Sequence, residues 1–290
     1  MNDGTASRCV VITGASSGIG AGCAVGCARR GMTVFAGVRD LRAGDALTAQ
    51  AGDAIVPLRL DVTDGDSIRR AAEVVTERVG QAGLAGLINN AGIAIGSPLE
   101  VIPLDRLRAQ LEVNVIGQIA VTQAFLPLIR LARGRIVNMG SIAGRGTIPM
   151  MGPYSASKFA LEALTDALRM ELHPWGIEVS IVEPGAIATP IWEKSMKTAL
   201  DVESGVSEEG KRLYGEAAHR VKEMVDQAAR RAIPVDAVVQ AVLHALTAAK
   251  PRTRYLVGND ARMRALMVKW LPDRAQDWLL RKALKLPDRA

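Results

Sequence analysis

The chain has 290 residues, 49% hydrophobic, 23% charged and only 3% aromatic, which excludes a disordered protein and leaves room for one sizeable core. The net charge is +6, but from Lys250 onward 11 basic residues stand against 4 acidic ones, so the excess sits in the tail and the body is nearly neutral. No arginine-rich block or aromatic–basic motif points to nucleic acid, no apolar run approaches the roughly 18 residues of a bilayer span, and the start lacks the pattern of a secretory signal; a cytoplasmic location is expected.

In chain order, Val10–Thr13 reads as a short buried strand that runs into "TGASSGIG", Thr13 to Gly20, and then into a helix over Gly20–Arg30. Glycines at Gly14, Gly18 and Gly20 clear side chains from a tight turn, and the helix start offers unpaired N–H groups to a phosphate. Ser16, Ser17 and Ile19 belong to the same turn. Cys23 and Cys27 fall in this helix, and with Cys9 they form neither a disulfide framework nor a metal site; no metal is expected. Strands follow at Thr33–Val38 and Ile55–Leu60, a helix at about Asp64–Val79, a strand at Leu87–Asn89, and a long helix over roughly Arg106–Leu131. Then come a strand at Arg135–Met139, a helix at Tyr154–His173, and strands at Val179–Val182 and Arg254–Val257. Such alternation of apolar strands and helices predicts an α/β fold: a doubly wound, Rossmann-type parallel sheet of about seven strands in one domain spanning 1–290.

Between Pro190 and about Pro234 the pattern becomes polar and interrupted, and this stretch is read as a helical lid insertion. Apolar Ile191, Trp192, Met196 and Leu200 lie in it, and Met150 and Met151 precede Tyr154. From about Ala261 to Leu286 apolar and basic residues alternate in an amphipathic C-terminal extension. That extension suits packing within the protein or on a second subunit, with peripheral membrane contact as the alternative.

Polar clusters stand where strands end: Asp61-Val62 after the third, "NNAG" (Asn89, Asn90, Ala91, Gly92) at the fourth, Ser141 after the fifth, and Pro184-Gly185 after the sixth. Ligands of doubly wound sheets bind at the carboxyl ends of the strands, so these clusters mark a site. Tyr154 and Lys158, in "YSASK", lie one helical turn apart on one face. A phenol has an ordinary pKa of about 10, and a fixed cation nearby favours its phenolate.

Together, Thr13–Gly20, Asn89–Gly92, Asn114, Ser141, Tyr154-x-x-x-Lys158 and Pro184-Gly185 resemble the short-chain dehydrogenase/reductase family, in its single-domain branch, over residues 8 to about 190. The resemblance implies that Tyr154 is the general acid/base and that Ser141 hydrogen-bonds the substrate oxygen. It implies that Lys158 binds the nicotinamide ribose and, with the cationic nicotinamide of the oxidised cofactor, lowers the Tyr154 pKa, and that Asn114 holds a proton-relay water. Thr189 and the backbone of Ile187 would contact the nicotinamide from the loop shaped by Pro184 and Gly185. At the end of the second strand Val38 takes the usual acidic position and Arg39 follows, which favours the 2′-phosphate of NADP(H); NAD(H) stays open through Asp40. "VFAGVRDL" and the tail resemble hydroxysteroid and retinol dehydrogenases within the family. The expected substrate is a lipophilic alcohol or its carbonyl, steroid- or retinoid-like, and the expected assembly a homodimer or homotetramer. Two alternatives are a 3-ketoacyl thioester reductase and a non-catalytic NADP(H) sensor.

Overall fold

The structure, a computed structural model, describes residues 8–191 and 207–286. Seven strands form one parallel sheet: β1 (Cys9–Ile12), β2 (Thr33–Val38), β3 (Ile55–Arg59), β4 (Gly86–Asn89), β5 (Arg135–Met139), β6 (Glu178–Pro184) and β7 (Arg254–Val257). Their spatial order is β3-β2-β1-β4-β5-β6-β7. The chain winds outward from β1 in one direction, then returns to lay β4 on its other side. That reversal opens a crevice beyond the ends of β1 and β4, the place where such sheets take ligands.

Ten helices are described: α1 (Gly18–Arg29), α2 (Arg42–Ala51), α3 (Gly65–Val79), α4 (Leu104–Leu111), α5 (Gly117–Ala132), α6 (Gly152–Leu172), α7 (Glu208–Arg230), α8 (Asp236–Thr247), α9 (Asn259–Trp270) and α10 (Asp273–Leu284). One face of the sheet is covered by α1, α2 and α8, which bury Cys23, Cys27, Leu47, Val238 and Val242 against Val10, Ile12 and Val34. The other face takes α3, α5 and the end of α6 over Val11, Leu87, Ile136 and Val179. Small residues set the first packing: β-carbons on Gly22 and Gly26 of α1 would run into Val235 and Val239 at the start of α8. Burial raises both the Cys23 and Cys27 thiols, so they serve as small core residues.

Several expectations are refined. The long helix is two helices joined by a π-helical turn at Glu112–Ile116, closed by Gly117 N–H donating to the Glu112 carbonyl. By length and composition Leu104–Ala132 could cross a bilayer, contrary to the sequence reading; here Val121, Phe125 and Ile129 are fully buried against the sheet. The tail breaks into α9 and α10 at Leu271-Pro272, where proline cannot continue the helical bonding. Helices α2 and α8 have no counterpart in the sequence reading. Of the proposed lid, Trp192, Met196 and Leu200 lie outside the described residues. The part from Glu208 onward is the helix α7, and its Tyr214 hydroxyl hydrogen-bonds Glu100 in the loop after β4.

Buried side-chain amides tie the sheet to both flanking helices. Asn89 Nδ2 donates to Thr122 Oγ1 at 2.8 Å and to Asn138 Oδ1 at 3.0 Å, and Asn138 Nδ2 donates to Thr165 Oγ1 at 2.8 Å. All four residues are buried. Asn138→Ala should therefore lose about 2 kcal/mol of stability, read as a lower urea midpoint at unchanged slope, because it leaves one buried N–H of the Asn89 amide without its acceptor and opens a gap beside Thr165.

Candidate functional site

The site grows from Thr13. Its Oγ1 accepts the N–H groups of Asn90 and Ala91, each at 2.9 Å, and Asn90 Nδ2 donates to the carbonyls of Thr13 and Gly14 at 3.0 and 3.1 Å. The ends of β1 and β4 are thereby fastened side by side. Gly14 turns the chain at φ +64, and a β-carbon there would come within 2.8 Å of Ala91 Cα. Gly18 also has positive φ, +58, and its open side faces Thr189 at 3.3 Å. A β-carbon on Gly20 would strike the Gly14 carbonyl and Asn90 Nδ2. The turn and the start of α1 thus form a cradle of bare backbone that fits a pyrophosphate, as the sequence predicts for Gly14, Gly18 and Gly20. Ser16 and Ser17 are in this turn, Ser17 at the N-cap position of α1, and Ile19 lies in the first turn of that helix.

Around the cradle, Arg39 and Asp40 emerge exposed at the end of β2. Arg42 pairs with the Asp40 carboxylate, with Nε at 3.1 Å from Oδ2 and Nη2 at 2.8 Å. That hydrogen bonding holds the Asp40 carboxyl below its ordinary range. Asp61 lies just past β3 rather than in it, and its Oδ1 accepts from the backbone and hydroxyl of Thr63. Val62 is buried against Gly117, and Gly92 packs near Asn114 Oδ1.

On the far side of the crevice, Ser141 follows β5 and heads a short 3-10 turn, its Oγ accepting from Ala143 N–H at 3.1 Å. Its hydroxyl stands beside the Tyr154 phenol and favours the phenolate. Lys158, one turn along α6, is 5% exposed; its Nζ donates to the Met139 carbonyl at 2.7 Å and lies 5.8 Å from the centre of the Tyr154 ring. Burial brings the Lys158 ammonium down to about 8, with Glu162 opposing. The expected lowering of the Tyr154 pKa depends on the oxidised cofactor; in the protein alone burial raises the phenol above its ordinary 10.0, Ser141 opposing, because desolvation penalises the phenolate. Asn114, wholly buried in the π turn, clamps Ile93 from both sides: Oδ1 accepts its N–H and Nδ2 donates to its carbonyl, each at 2.9 Å, while Nδ2 also reaches Ser157 Oγ at 3.0 Å. Its side chain is therefore a brace between the loop after β4 and α6, and a relay water would have to use backbone.

The loop after β6 closes the site. Pro184 ends the strand, Gly185 N–H donates to Val257, and Ile187 is buried beside Ile233. Asp260, at the start of α9, accepts the Ala186 N–H at 2.7 Å and sits against Gly185. At the mouth, Ile93 and Leu99 are exposed, Met151 lies against Gly96, and the Met150 carbonyl accepts from Ser97 N–H at 2.7 Å. Sequence reasoning missed Thr13 as the fastener, Arg42, Asp260 and Glu183. The signals were there: Asp40 and Arg42 two apart in a loop, and a glutamate inside the apolar run "VSIVEP". Among the described residues no group of His, Cys, Asp and Glu could hold a metal.

Comparison with known proteins agrees with this geometry. Residues 8–200 match the family described as short chain dehydrogenase. The chain is 36% identical to the NADPH-dependent 3-dehydrocapnine reductase of Ornithobacterium rhinotracheale over 96% of its own length and 98% of that protein. It is 37% identical to retinol dehydrogenase 5 of Mus musculus, covering 96% of this chain and 89% of the relative. Among solved structures, a short-chain dehydrogenase from Streptomyces avermitilis superposes with a TM-score of 0.79 at 29% identity, over 97% of this chain and 98% of the other.

The crowded cradle makes a direct test. Gly20→Ala should weaken binding of a reduced nicotinamide cofactor, NADPH or NADH, at least about tenfold in a fluorescence titration, since its methyl displaces the Gly14 carbonyl and Asn90 that shape the turn.

Proposed function

The chain belongs to the short-chain dehydrogenase/reductase family and is an oxidoreductase of CH–OH groups, and from that premise we propose that it uses NADP(H) to interconvert a lipophilic alcohol and its ketone or aldehyde. The observation that carries the reading is the Tyr154–Ser141 hydroxyl pair, set one helical turn from the buried Lys158 and across the crevice from the glycine cradle. Bound NADPH would supply the hydride. Tyr154, whose phenolate is disfavoured by burial, is the acid that gives its proton to the carbonyl oxygen. Ser141 donates to the same oxygen and steadies its developing charge. Lys158 presents a buried cation to the nicotinamide ribose, and Asn114 keeps the loop at Ile93 against α6.

The 2′-phosphate reading is supported by the way Arg42 engages Asp40, while Arg39 stands exposed beside them. An engaged carboxylate is a poor acceptor for a ribose hydroxyl, and a guanidinium suits a phosphate. The NADPH dependence in the reductase relative's name is consistent with it. An apolar substrate is supported by Ile93 and Leu99 exposed at the mouth with the methionines, and by a relative named for retinol.

Assembly follows from the tail. Met263, Leu266 and Trp270 lie on one side of α9 and stay exposed among the described residues, Trp270 at 72%. We read this face as a contact with a second copy in a homodimer or homotetramer; sedimentation at micromolar concentration should give a mass above one chain. A monomer that floats with anionic vesicles would instead select the peripheral membrane alternative.

The deciding assay is NADPH consumption over a steroid ketone, retinal and an acetoacetyl thioester. Turnover of the steroid or retinal is expected, with Tyr154→Phe slower by about 10²–10⁴-fold and NADPH binding kept. In Arg39→Asp the KM for NADPH should rise at least about tenfold while that for NADH does not. Thioester turnover alone would move the protein to the ketoacyl reductases. Cofactor binding with no turnover on any carbonyl would make it a sensor.

A further inference from the structure

Behind Ser141 and Lys158 lies a buried group of charges that the reaction itself does not use. Glu183, the last residue but one of β6, has a side chain with 0% exposure in a strand that is buried from Val179 onward. Its partner is Arg145, from the turn that Ser141 heads: Arg145 Nη2 donates to Glu183 Oε1 at 2.8 Å, and Arg145 Nε lies against Oε2. Arg254 of β7 approaches Glu183 with Nε at 3.7 Å. The same Nε donates to Glu162 Oε2 at 3.1 Å, and Nη2 donates to Asp166 Oδ2 at 2.6 Å, where Arg169 also bonds. Glu162 is the residue one turn beyond Lys158. The turn sits directly on this helix, since a β-carbon on Gly144 would come within 2.9 Å of the Lys158 carbonyl and 3.2 Å of Glu162 Cγ. Nearby Arg264 of α9 donates to the Thr147 carbonyl at 2.8 Å.

Glu183 thus touches three parts of the site at once. Its carboxylate holds the Ser141 turn through Arg145, its backbone leads straight into Pro184-Gly185, and Arg254 links it to the helix of Tyr154 and Lys158. A fully buried carboxylate is costly unless its partners are fixed, so such a group holds its neighbours in one arrangement. We propose that Glu183 is a positioning residue for the reaction, locking the Ser141 turn to the strand that delivers the nicotinamide loop and setting the charge that Glu162 presents to Lys158.

The groups facing Glu162 are Lys158, Asp166 and Arg169 on its own helix, Glu183 on β6, Arg254 on β7 and Arg145 on the turn. Burial, then the Glu183 charge, pushes the Glu162 carboxyl up to about 7, against both arginines. Removing the Glu183 charge removes a repulsion and leaves the arginines to Glu162, so Glu162 then ionises at lower pH.

The inference rests on the oxidoreductase reading, so its test has one arm that needs no substrate. In the full chain, the infrared band of the protonated carboxyl should titrate near neutral pH, vanish in Glu162→Gln and move to lower pH in Glu183→Gln. In the second arm, Glu183→Gln and Arg145→Gln should each lose at least about tenfold in kcat while the KM for NADPH changes less than about threefold. Arg145→Gln, at a partly exposed position, stands in should Glu183→Gln fail to fold. Wild-type turnover in either folded variant overturns the proposal. If the wild type turns over nothing, the infrared arm decides alone: a band unmoved in Glu183→Gln overturns it.

Discussion

Two backbone N–H groups, of Asn90 and Ala91, converge on one hydroxyl, that of Thr13. Everything in the crevice depends on that junction. A doubly wound sheet reverses direction between β1 and β4, and the loops leaving those strands would otherwise diverge. Holding them together fixes how closely the glycine turn approaches Ala91, and so the width of the cradle. Side-chain bulk at Gly14 or Gly20 is excluded by this same closeness.

The other wall is organised by charge rather than by close backbone approach. Lys158, Glu162, Glu183, Arg145 and Arg254 are largely withdrawn from water, and each has at least one opposite partner or a carbonyl. Withdrawal from water tunes them in opposite senses, the lysine downward and the glutamate upward, so both sit near neutrality. Tyr154 stands between the two walls, and burial disfavours its phenolate.

The legible part of the molecule was the part with short-range grammar. Apolar runs bounded by glycine located all seven strands to within about two residues, and Tyr154, Lys158 and Ser141 come together as their positions after successive strands require. What the sequence hid has long-range causes. The α8 helix is an exception: Asp236, Gln240, His244 and Thr247 recur every turn on its exposed face, opposite buried Val238, Val239, Val242 and Leu243, a two-faced pattern that the sequence reading passed over. The pairing of Asp40 with Arg42 rather than with Arg39 is a matter of loop shape. Glu183 reads as an interruption of a strand until Arg145 and Arg254, far off in sequence, are seen beside it.

The hold of Asp260 on Ala186 also bears on the order in which the protein is made. The nicotinamide loop follows β6, yet the carboxylate that receives its N–H comes from α9, synthesised after α7, α8 and β7. Chains grow from the N-terminus and fold as they emerge, so the glycine cradle can form while this loop still lacks its latch. The loop after β6 thus gains its last fixed contact only after the final strand has docked on the edge of the sheet.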